Sequence, residues 1–371
     1  MKKSTIVSTL CIALLTTTLV PMDAFAKTEQ VVSENRTNMV DTKNQLEAVI
    51  DQLGAQSVSM QADALTLLQQ PNMSIADMPE LSKYLQRTKE SATNWLDTLN
   101  KRVLKTNQNM MAFGQDVESY YDTLSDLATR VNEDEQARAD FARGIQYLQS
   151  VLADDQNETN ETMAQLADLR QTSDYTFDKF SADVNESLTQ SSSKTQEANR
   201  HIVALTMKIQ QNRDFMIASK LQRLEDFILV FRSADSLTGL GKVYGTVIST
   251  IVNSVEVQRA ADQIIDAQKE INEWESTLNE ESFQLTHLNM LKQIFDNFRS
   301  HLGENEATLR IFGEGLGMLE QDMNELVQMV NKADVDVTAL TAHLSQFKQT
   351  VMEIATHAEK QANTLAGVKY Q

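Results

Sequence analysis

Apolar residues recur at alternating spacings of four and three along most of the chain, and the longest such stripe begins at Leu81. It continues through Trp95 and Leu99 to Val131, with mostly polar residues between its members. This spacing places apolar side chains on one face of an α-helix, close to the seam of a coiled coil. At the usual rise per residue, a helix over residues 81–131 is about 75 Å long. The stripe therefore predicts one long helix that buries a single face.

Similar stripes predict helices over most of the remaining chain. The chain has three prolines and none follows Pro79, so no proline forces a helix break in the long downstream part. The stripe thins over residues 154–160, which predicts loose packing or a break there. The predicted fold is all-α, an elongated bundle of six or seven long antiparallel helices joined by short turns. The further stripes span residues 45–68, 141–188, 201–224, 257–302, 309–330 and 340–365.

Residues 227–257 break this pattern. A solid apolar run, Phe227–Phe231, precedes a stretch with Gly239, Gly241 and Gly245, and a second run around and after these glycines is rich in β-branched residues. Such residues favour strands, and two β-prone runs around a glycine-containing turn are typical of a hairpin. Because the alternation of apolar and polar positions is poor, a short helix-turn-helix tip stays open as an alternative. Either form makes a small head on the bundle.

The apolar residues of this head are the predicted contact surface for a membrane or another subunit, and its three glycines are the predicted hinge or turn positions. The alternative is that, in the soluble form, the head folds back and caps the bundle core. Neither arm is long enough to cross a bilayer as a helix, which takes about 20 apolar residues. The predicted contact residues are Phe227, Ile228, Leu229, Val230, Phe231, Leu237, Leu240, Val243, Tyr244, Val247, Ile248, Ile251 and Val252.

The first 26 residues have the features of a secretory signal peptide. Two lysines precede an apolar region at residues 6–20, and Ala24 and Ala26 flank Phe25 in a small-x-small cleavage site. Cleavage after Ala26 predicts a secreted, extracellular protein, and a retained N-terminal anchor is the alternative. The predicted domains are a signal peptide at 1–26, a first bundle part at 27–226, the head at 227–257 and a second bundle part at 258–371.

The formal net charge of −19 argues against nucleic acid or an anionic lipid surface as a direct partner. Membrane attachment then depends on apolar surface, a receptor or a partner protein. The single cysteine, Cys11, lies in the predicted leader. The mature chain is therefore expected to have neither disulfides nor thiol chemistry, and to depend on its core for stability.

Motifs for catalysis, cofactors and metals give no positive prediction. The five histidines form no i, i+3 or i, i+4 pair, so a metal site would need ligands that converge from distant parts of the chain. Gly313, Gly315 and Gly317 lie inside an amphipathic helical pattern, whereas a phosphate loop requires a preceding strand. Close helix packing or a bendable point explains these glycines better. The prediction is a protein with no catalytic residues, cofactor or metal.

Several short stretches, followed in order, resemble the Bacillus haemolysin BL and non-haemolytic enterotoxin family, most closely component A of the latter. The resemblance is specific over about residues 60–150 and weakens to a shared pattern beyond them. The stretches that carry it are Leu65–Met73, Asn94–Asp97, Asn109–Met111, Ser119–Tyr121 and Val131–Ala137.

The resemblance implies a helical bundle whose smaller head contains an amphipathic hairpin, the β-tongue, and it places that head at Phe227–Val257. It also implies a secreted subunit of a multi-component α-helical pore-forming toxin, soluble as a monomer before it assembles with companion subunits on a target membrane. Pore-forming members carry a long, nearly uncharged apolar head segment that this chain lacks. The expectation is thus a partner subunit that completes or activates the pore. A non-toxic extracellular helical scaffold or adhesin is the alternative.

Overall fold

The computed structural model describes residues 39–71, 73, 75, 78–222, 230–235, 242–247 and 255–370, and the predicted signal peptide lies outside them. Long helices dominate the described residues, which confirms the predicted all-α bundle. The elements in chain order are α1 (Met39–Gln69), α2 (Leu81–Asn94), a π-helical turn (Trp95–Leu99), α3 (Asn100–Arg130), α4 (Glu135–Gln190), α5 (Ser193–Gln222), β1 (Val230–Asp235), β2 (Lys242–Val247), α6 (Val255–Glu275), α7 (Glu280–Val330), α8 (Val337–Ala366) and β3 (Lys369–Tyr370).

The helix predicted over residues 81–131 is confirmed as one continuous segment, formed by α2, the π turn and α3. At the π turn, the backbone N–H of Asn100 donates to the carbonyl of Trp95, five residues earlier instead of the usual four. Trp95 and Leu99 are both buried. The wide turn therefore keeps its two large apolar side chains in the core without ending the helix.

The core runs along the helices, as the apolar stripes predict. α4 packs against α7, α3 packs against α8, and α1 packs against both α7 and α8. Phe141, Phe298, Phe312 and Phe347 are among the fully buried side chains of this core. Burial of one such side chain contributes about 1.5–3 kcal/mol relative to leaving it exposed. The apolar stripes thus account for most of the helices and for the faces that they bury, although the stripe over residues 257–302 is divided between α6 and α7.

A break over residues 154–160, one of the two predicted outcomes, does not occur. α4 is a continuous helix of 56 residues, about 84 Å long at the usual rise. Thr159 and Thr162 are buried there, and their hydroxyls donate to carbonyls four residues earlier in the same helix. From α3, Lys105 donates to Glu158 over 2.6 Å. Polar groups that satisfy one another therefore replace apolar contacts in this section.

Gly315 shows why a glycine stands inside α7. A Cβ atom at this position would lie 2.5 Å from Cδ2 of Leu46 on α1, closer than side-chain atoms approach. The close-packing interpretation is confirmed for this glycine. At Gly317 a Cβ would meet no atom within 4 Å, so that position is not restricted in the same way. None of the described helices is both long and apolar enough to span a bilayer.

Candidate functional site

The predicted head contains an antiparallel pair of strands in its described part. β1 and β2 pair over six positions, from Val230 opposite Val247 to Asp235 opposite Lys242. The strand alternative is therefore correct for these residues, and the helical tip is not. β-Branched residues explain this choice, because they lose less side-chain freedom in a strand than in a helix. The last residues of the predicted head segment, 255–257, belong instead to helix α6.

The register fixes the place of five predicted contact residues. Val230 and Phe231 lie in β1, and Val243, Tyr244 and Val247 lie in β2. Since positions alternate between the two faces of a strand pair, Val230, Val243 and Val247 occupy register positions of the same face. Thirteen contact residues were predicted, and the rest lie outside the described residues: Phe227, Ile228, Leu229, Leu237, Leu240, Ile248, Ile251 and Val252.

Gly245 is not at a turn or hinge, contrary to the prediction. It lies inside β2, where it pairs with Arg232 of β1. A strand accepts glycine because its extended backbone is available to every residue, so a glycine by itself does not mark a turn. Gly239 and Gly241, the other two predicted turn residues, lie outside the described residues.

A third strand, which the sequence did not predict, completes this small sheet. β3, at Lys369–Tyr370, follows α8 and pairs in parallel with Val230 and Phe231. The order of the strands is β2-β1-β3, so β1 is the central strand. A run of two residues is too short to give a strand signal in a sequence. The segment after α8 is therefore joined to the base of the hairpin.

Helices α5 and α6 carry the hairpin. α5 ends at Gln222, eight residues before β1, and α6 begins at Val255, eight residues after β2. The two helices pack against each other, and Leu221 and Val257 are buried where they approach the head. β2 also approaches α6 and α1. The hairpin is thus an insertion between two helices, α5 and α6, that pack against each other; this helix pair is called the stem below.

A buried ionic cluster joins this stem to the rest of the bundle. Arg213 of α5 donates from Nη1 to Oδ1 of Asp63 on α1 over 2.6 Å, and the two side chains are 1% and 0% exposed. Nε and Nη2 of Arg213 also donate to Oδ1 of Asp214, over 3.0 and 2.9 Å. His301 of α7 lies between the two acids, 3.4 Å from Asp63 and 3.7 Å from Asp214. Three helices therefore meet at one set of charges.

The cluster is electrostatically balanced. Burial alone would raise the pKa of Asp63, but the charge of Arg213 and the hydrogen bond with His301 hold it below its usual value. Burial would lower the pKa of His301, but the hydrogen bond with Asp63 and the charge of Asp214 raise it above its usual value. A guanidinium and an imidazole thus face two carboxylates. Removing Arg213 would leave Asp63 as a buried charge without its main counter-ion.

Among the described residues, one group of side chains has the chemistry and spacing of metal ligands: Asp322, Glu325 and His343. Asp322 and Glu325 lie on α7 and His343 lies on α8, so the group is not on the helices that carry the hairpin. Asp322 is eight residues before the end of α7 at Val330. Because these side chains come from two helices, no histidine pair at helical spacing marks the group in the sequence.

Residues 41–219 match the model of the family described as Bacillus haemolytic enterotoxin (HBL). The matched region extends from α1 into α5 and confirms the family resemblance seen in the sequence. The narrower likeness to component A of the non-haemolytic enterotoxin stays a prediction. No curated protein sequence matches the chain.

Solved structures with a similar fold include soluble SmhA, of the tripartite alpha-pore forming toxin Smh from Serratia marcescens. It has a TM-score of 0.75 and 13% sequence identity, over 88% of this chain and 95% of that chain. The Bacillus cereus HblL1 toxin component has a TM-score of 0.72 and 14% identity, over 85% of this chain and 95% of that chain. These likenesses confirm the helical-bundle fold.

Two forms of AhlB, from the tripartite alpha-pore forming toxin AHL of Aeromonas hydrophila, differ in their likeness to this chain. Soluble AhlB has a TM-score of 0.64 and 14% identity, over 88% of this chain and 94% of that chain. The AhlB pore has a TM-score of 0.50 and 11% identity, over 89% of this chain and 99% of that chain. The fold described above is therefore closer to the soluble form.

Proposed function

We propose that this chain is a secreted component of a multi-subunit α-helical pore-forming toxin, and that it is a partner subunit that completes or activates the pore. In this proposal it has no catalytic role. The match of residues 41–219 to the haemolytic enterotoxin family and the fold shared with toxin components support the proposal.

The observation that carries the proposal is the strand pair between α5 and α6. The chain leaves a buried helical stem, forms the antiparallel ladder of β1 and β2, and returns to the stem. Val230, Val243 and Val247 share one face of that ladder by register, while charged Arg232 lies between them at Gly245. This face of the ladder, apolar except for Arg232, suits a surface that exchanges one apolar partner for another.

Transfer of the hairpin's apolar surface from its own bundle to lipid or to another subunit requires a partner protein. Apolar area transferred to lipid or to a neighbouring subunit gains roughly 25 cal/mol per Å². Release from the parent bundle costs a similar amount per Å² and also breaks the pairing of β3 with β1. A partner that binds only the released form shifts this near balance. The chain is accordingly a soluble monomer before assembly, and it reaches the target membrane through companion subunits.

The formal net charge of −19 fits this order of events, because it disfavours direct adsorption on anionic lipid. Secretion through the predicted signal peptide belongs to the same proposal. Attachment to a membrane then depends on companion subunits or on the apolar residues of the hairpin, not on charge.

The test is dye release from cells or vesicles, with and without the proteins encoded by neighbouring genes. We expect release only with those companions. The double substitution Val243→Asp and Val247→Asp should abolish release and leave the helical circular dichroism unchanged. The matched control, Val40→Asp and Ile265→Asp, alters two apolar side chains that are 50% and 58% exposed on helices, and it should retain activity.

Each other outcome has a defined meaning. Unchanged release by the Val243→Asp and Val247→Asp variant removes the hairpin from the mechanism. Release by the chain alone contradicts the partner role. If no combination releases dye, and binding to cells survives deletion of residues 227–257, the alternative of a scaffold or adhesin replaces the toxin proposal.

A further inference from the structure

Asp322, Glu325 and His343 converge at the contact between α7 and α8. Asp322 and Glu325 are three residues apart on α7 and so lie on the same face of the helix, while His343 comes from the second turn of α8. One carboxylate oxygen from each acid and one ring nitrogen of the histidine all lie within 4.8 Å of one another. Three ligand atoms of two chemical types therefore surround one small volume.

Two atoms of this group are buried without a partner. Asp322 is 2% exposed, and its Oδ2 atom makes no hydrogen bond. Nε2 of His343 is likewise buried and unpaired. Buried polar atoms in folded proteins nearly always have a partner, so an unpaired acid beside an unpaired imidazole points to a missing ligand.

The charge of the group points to the same conclusion. Asp322 and Glu325 bring two carboxyl oxygens within 4.8 Å of each other. The ion pairs of the described residues bring no lysine or arginine to Asp322 or Glu325. A cation at this position would relieve the repulsion and satisfy the unpaired atoms at once.

We propose that Asp322, Glu325 and His343 bind one divalent transition-metal ion, with zinc as the best fit. One imidazole nitrogen and two carboxylate oxygens are ligands that zinc accepts, each at about 2.0–2.2 Å. In the tetrahedral geometry of zinc, two ligand atoms at that distance are about 3.3–3.6 Å apart, so side-chain movements of up to about 1.5 Å close the site. The nitrogen ligand disfavours calcium and magnesium, which select oxygen. Water completes the coordination.

The ion acts as a cross-link between two helices. α8 packs chiefly against α3 and has only a short contact with α7. The ligands Asp322 and His343 stand on opposite sides of the loop that follows Val330. A bound ion therefore fixes the beginning of α8 against α7, and its removal loosens that end of the pair.

The experiment uses the full chain, freed of metal with EDTA and titrated with zinc chloride. We expect one zinc ion per chain in calorimetry. At a zinc concentration about 100 times the dissociation constant, the midpoint of thermal unfolding should rise by about 3 °C or more. Cobalt chloride in place of zinc should give the visible absorption of a low-coordinate site.

The variants Asp322→Asn and His343→Gln should each weaken zinc binding about tenfold or more and remove the thermal shift. Asp322→Asn keeps the shape of the side chain, and the circular dichroism of both variants checks their folding. The matched control is His357→Gln, also on α8, because Nε2 of His357 already has a partner in Asp51 at 2.8 Å. This control should bind zinc as the unaltered chain does.

Two results would overturn the proposal. Equal zinc binding by the unaltered chain and both variants means that zinc adheres only to the acidic surface. Absence of binding at millimolar zinc means that Asp322 is held as a neutral carboxylic acid. Neither result depends on toxin activity, so the metal site and the proposed function are tested separately.

Discussion

Two groups of this bundle each combine one histidine with two carboxylates, one of which, Asp63 or Asp322, is buried, and the groups differ in a single cation. At the α1–α5–α7 junction, Arg213 lies against Asp63, and the pKa of Asp63 is held below its usual value. At the α7–α8 contact, burial and the charge of Glu325 raise the pKa of Asp322 to about 7. The first group has a guanidinium beside both carboxylates, whereas no ion pair of the described residues joins a lysine or arginine to Asp322 or Glu325.

The comparison shows that the same types of side chain can have two different roles in a helical bundle. A compensated cluster fixes the relative position of three helices, because each charge needs the others. A cluster without its own cation is, in our proposal, the one that takes a cation from solution. The variants below separate these two behaviours, beginning with the largest expected effect.

Arg213→Met should lower the free energy of unfolding by about 3–5 kcal/mol, because it leaves buried carboxylates without their main cation. Chemical denaturation followed by circular dichroism measures the change. The control is Arg310→Met on α7, where the arginine is 60% exposed and pairs with Glu314, and a loss of about 0–1 kcal/mol is expected. Equal losses for the two variants would show that the buried cluster is no stronger than a surface ion pair.

His301→Gln should weaken the dependence of stability on alkaline pH. The hydrogen bond with Asp63 and the charge of Asp214 outweigh burial and raise the pKa of His301 above its usual value. The histidine therefore contributes stability below pH of about 6.5, the value in unfolded chains, and this contribution disappears as pH rises through the folded pKa. Chemical denaturation at pH 6 to 9 should show that the free energy of unfolding falls less in the variant than in the unaltered chain. The difference should be smaller than the loss expected for Arg213→Met.

The control for this prediction is His201→Gln, because His201 is exposed and stacks on Trp274 rather than facing an acid. That variant should retain the full alkaline fall. His357 also has a raised pKa, through its bond with Asp51, so a residual fall should persist in every one of these variants. An unchanged fall in His301→Gln would mean that His301 is neutral in the cluster.

Asp322→Asn should raise the free energy of unfolding by about 1 kcal/mol or less in the presence of EDTA, since it removes a buried charge that has no counter-ion. The matched control is the same substitution at the compensated site, Asp63→Asn, which should destabilise the protein because buried Arg213 loses the charge of its fully buried carboxylate partner. Thermal unfolding at neutral pH measures both. A loss of stability in both variants would contradict the contrast between the two groups.

Most of the fold follows from the apolar stripes, because helix formation and burial both depend on a local period. The stripe from Leu81 predicts a continuous helix, and the structure has one. The π turn at Trp95–Leu99 leaves no signal in that stripe. A break over residues 154–160 was one of two predicted outcomes and does not occur, because buried threonines donate to carbonyls of their own helix, which apolar spacing does not reveal.

The sequence predicted the position of the head, but not its strand register or its third strand. Its β-branched residues and glycines predicted a change of structure at the right place, yet the strand register and the pairing with β3 depend on residues far apart in the chain. Gly245 was misplaced because glycine suits strands as well as turns.

The ionic cluster of Arg213 and Asp63 also leaves a partial signal in the sequence. Arg213 stands between Ile209 and Met216 at stripe spacing, and Asp63 stands between Met60 and Leu67 in the same way. A charged residue at an apolar stripe position signals a buried ion, but the stripe does not say which distant residue will meet it. That information exists only in the packed helices.

The wide turn at Trp95–Leu99 should allow the long helix to lose one residue at this place without disturbing its core. Loss of one residue elsewhere in a regular helix rotates everything downstream by about 100°, so buried faces turn towards solvent. Within this turn the backbone already spans five residues per hydrogen bond, and removal of one residue restores ordinary spacing. The segments on either side keep their present neighbours. A related chain one residue shorter at this place would therefore align in three dimensions without any rearrangement of its core.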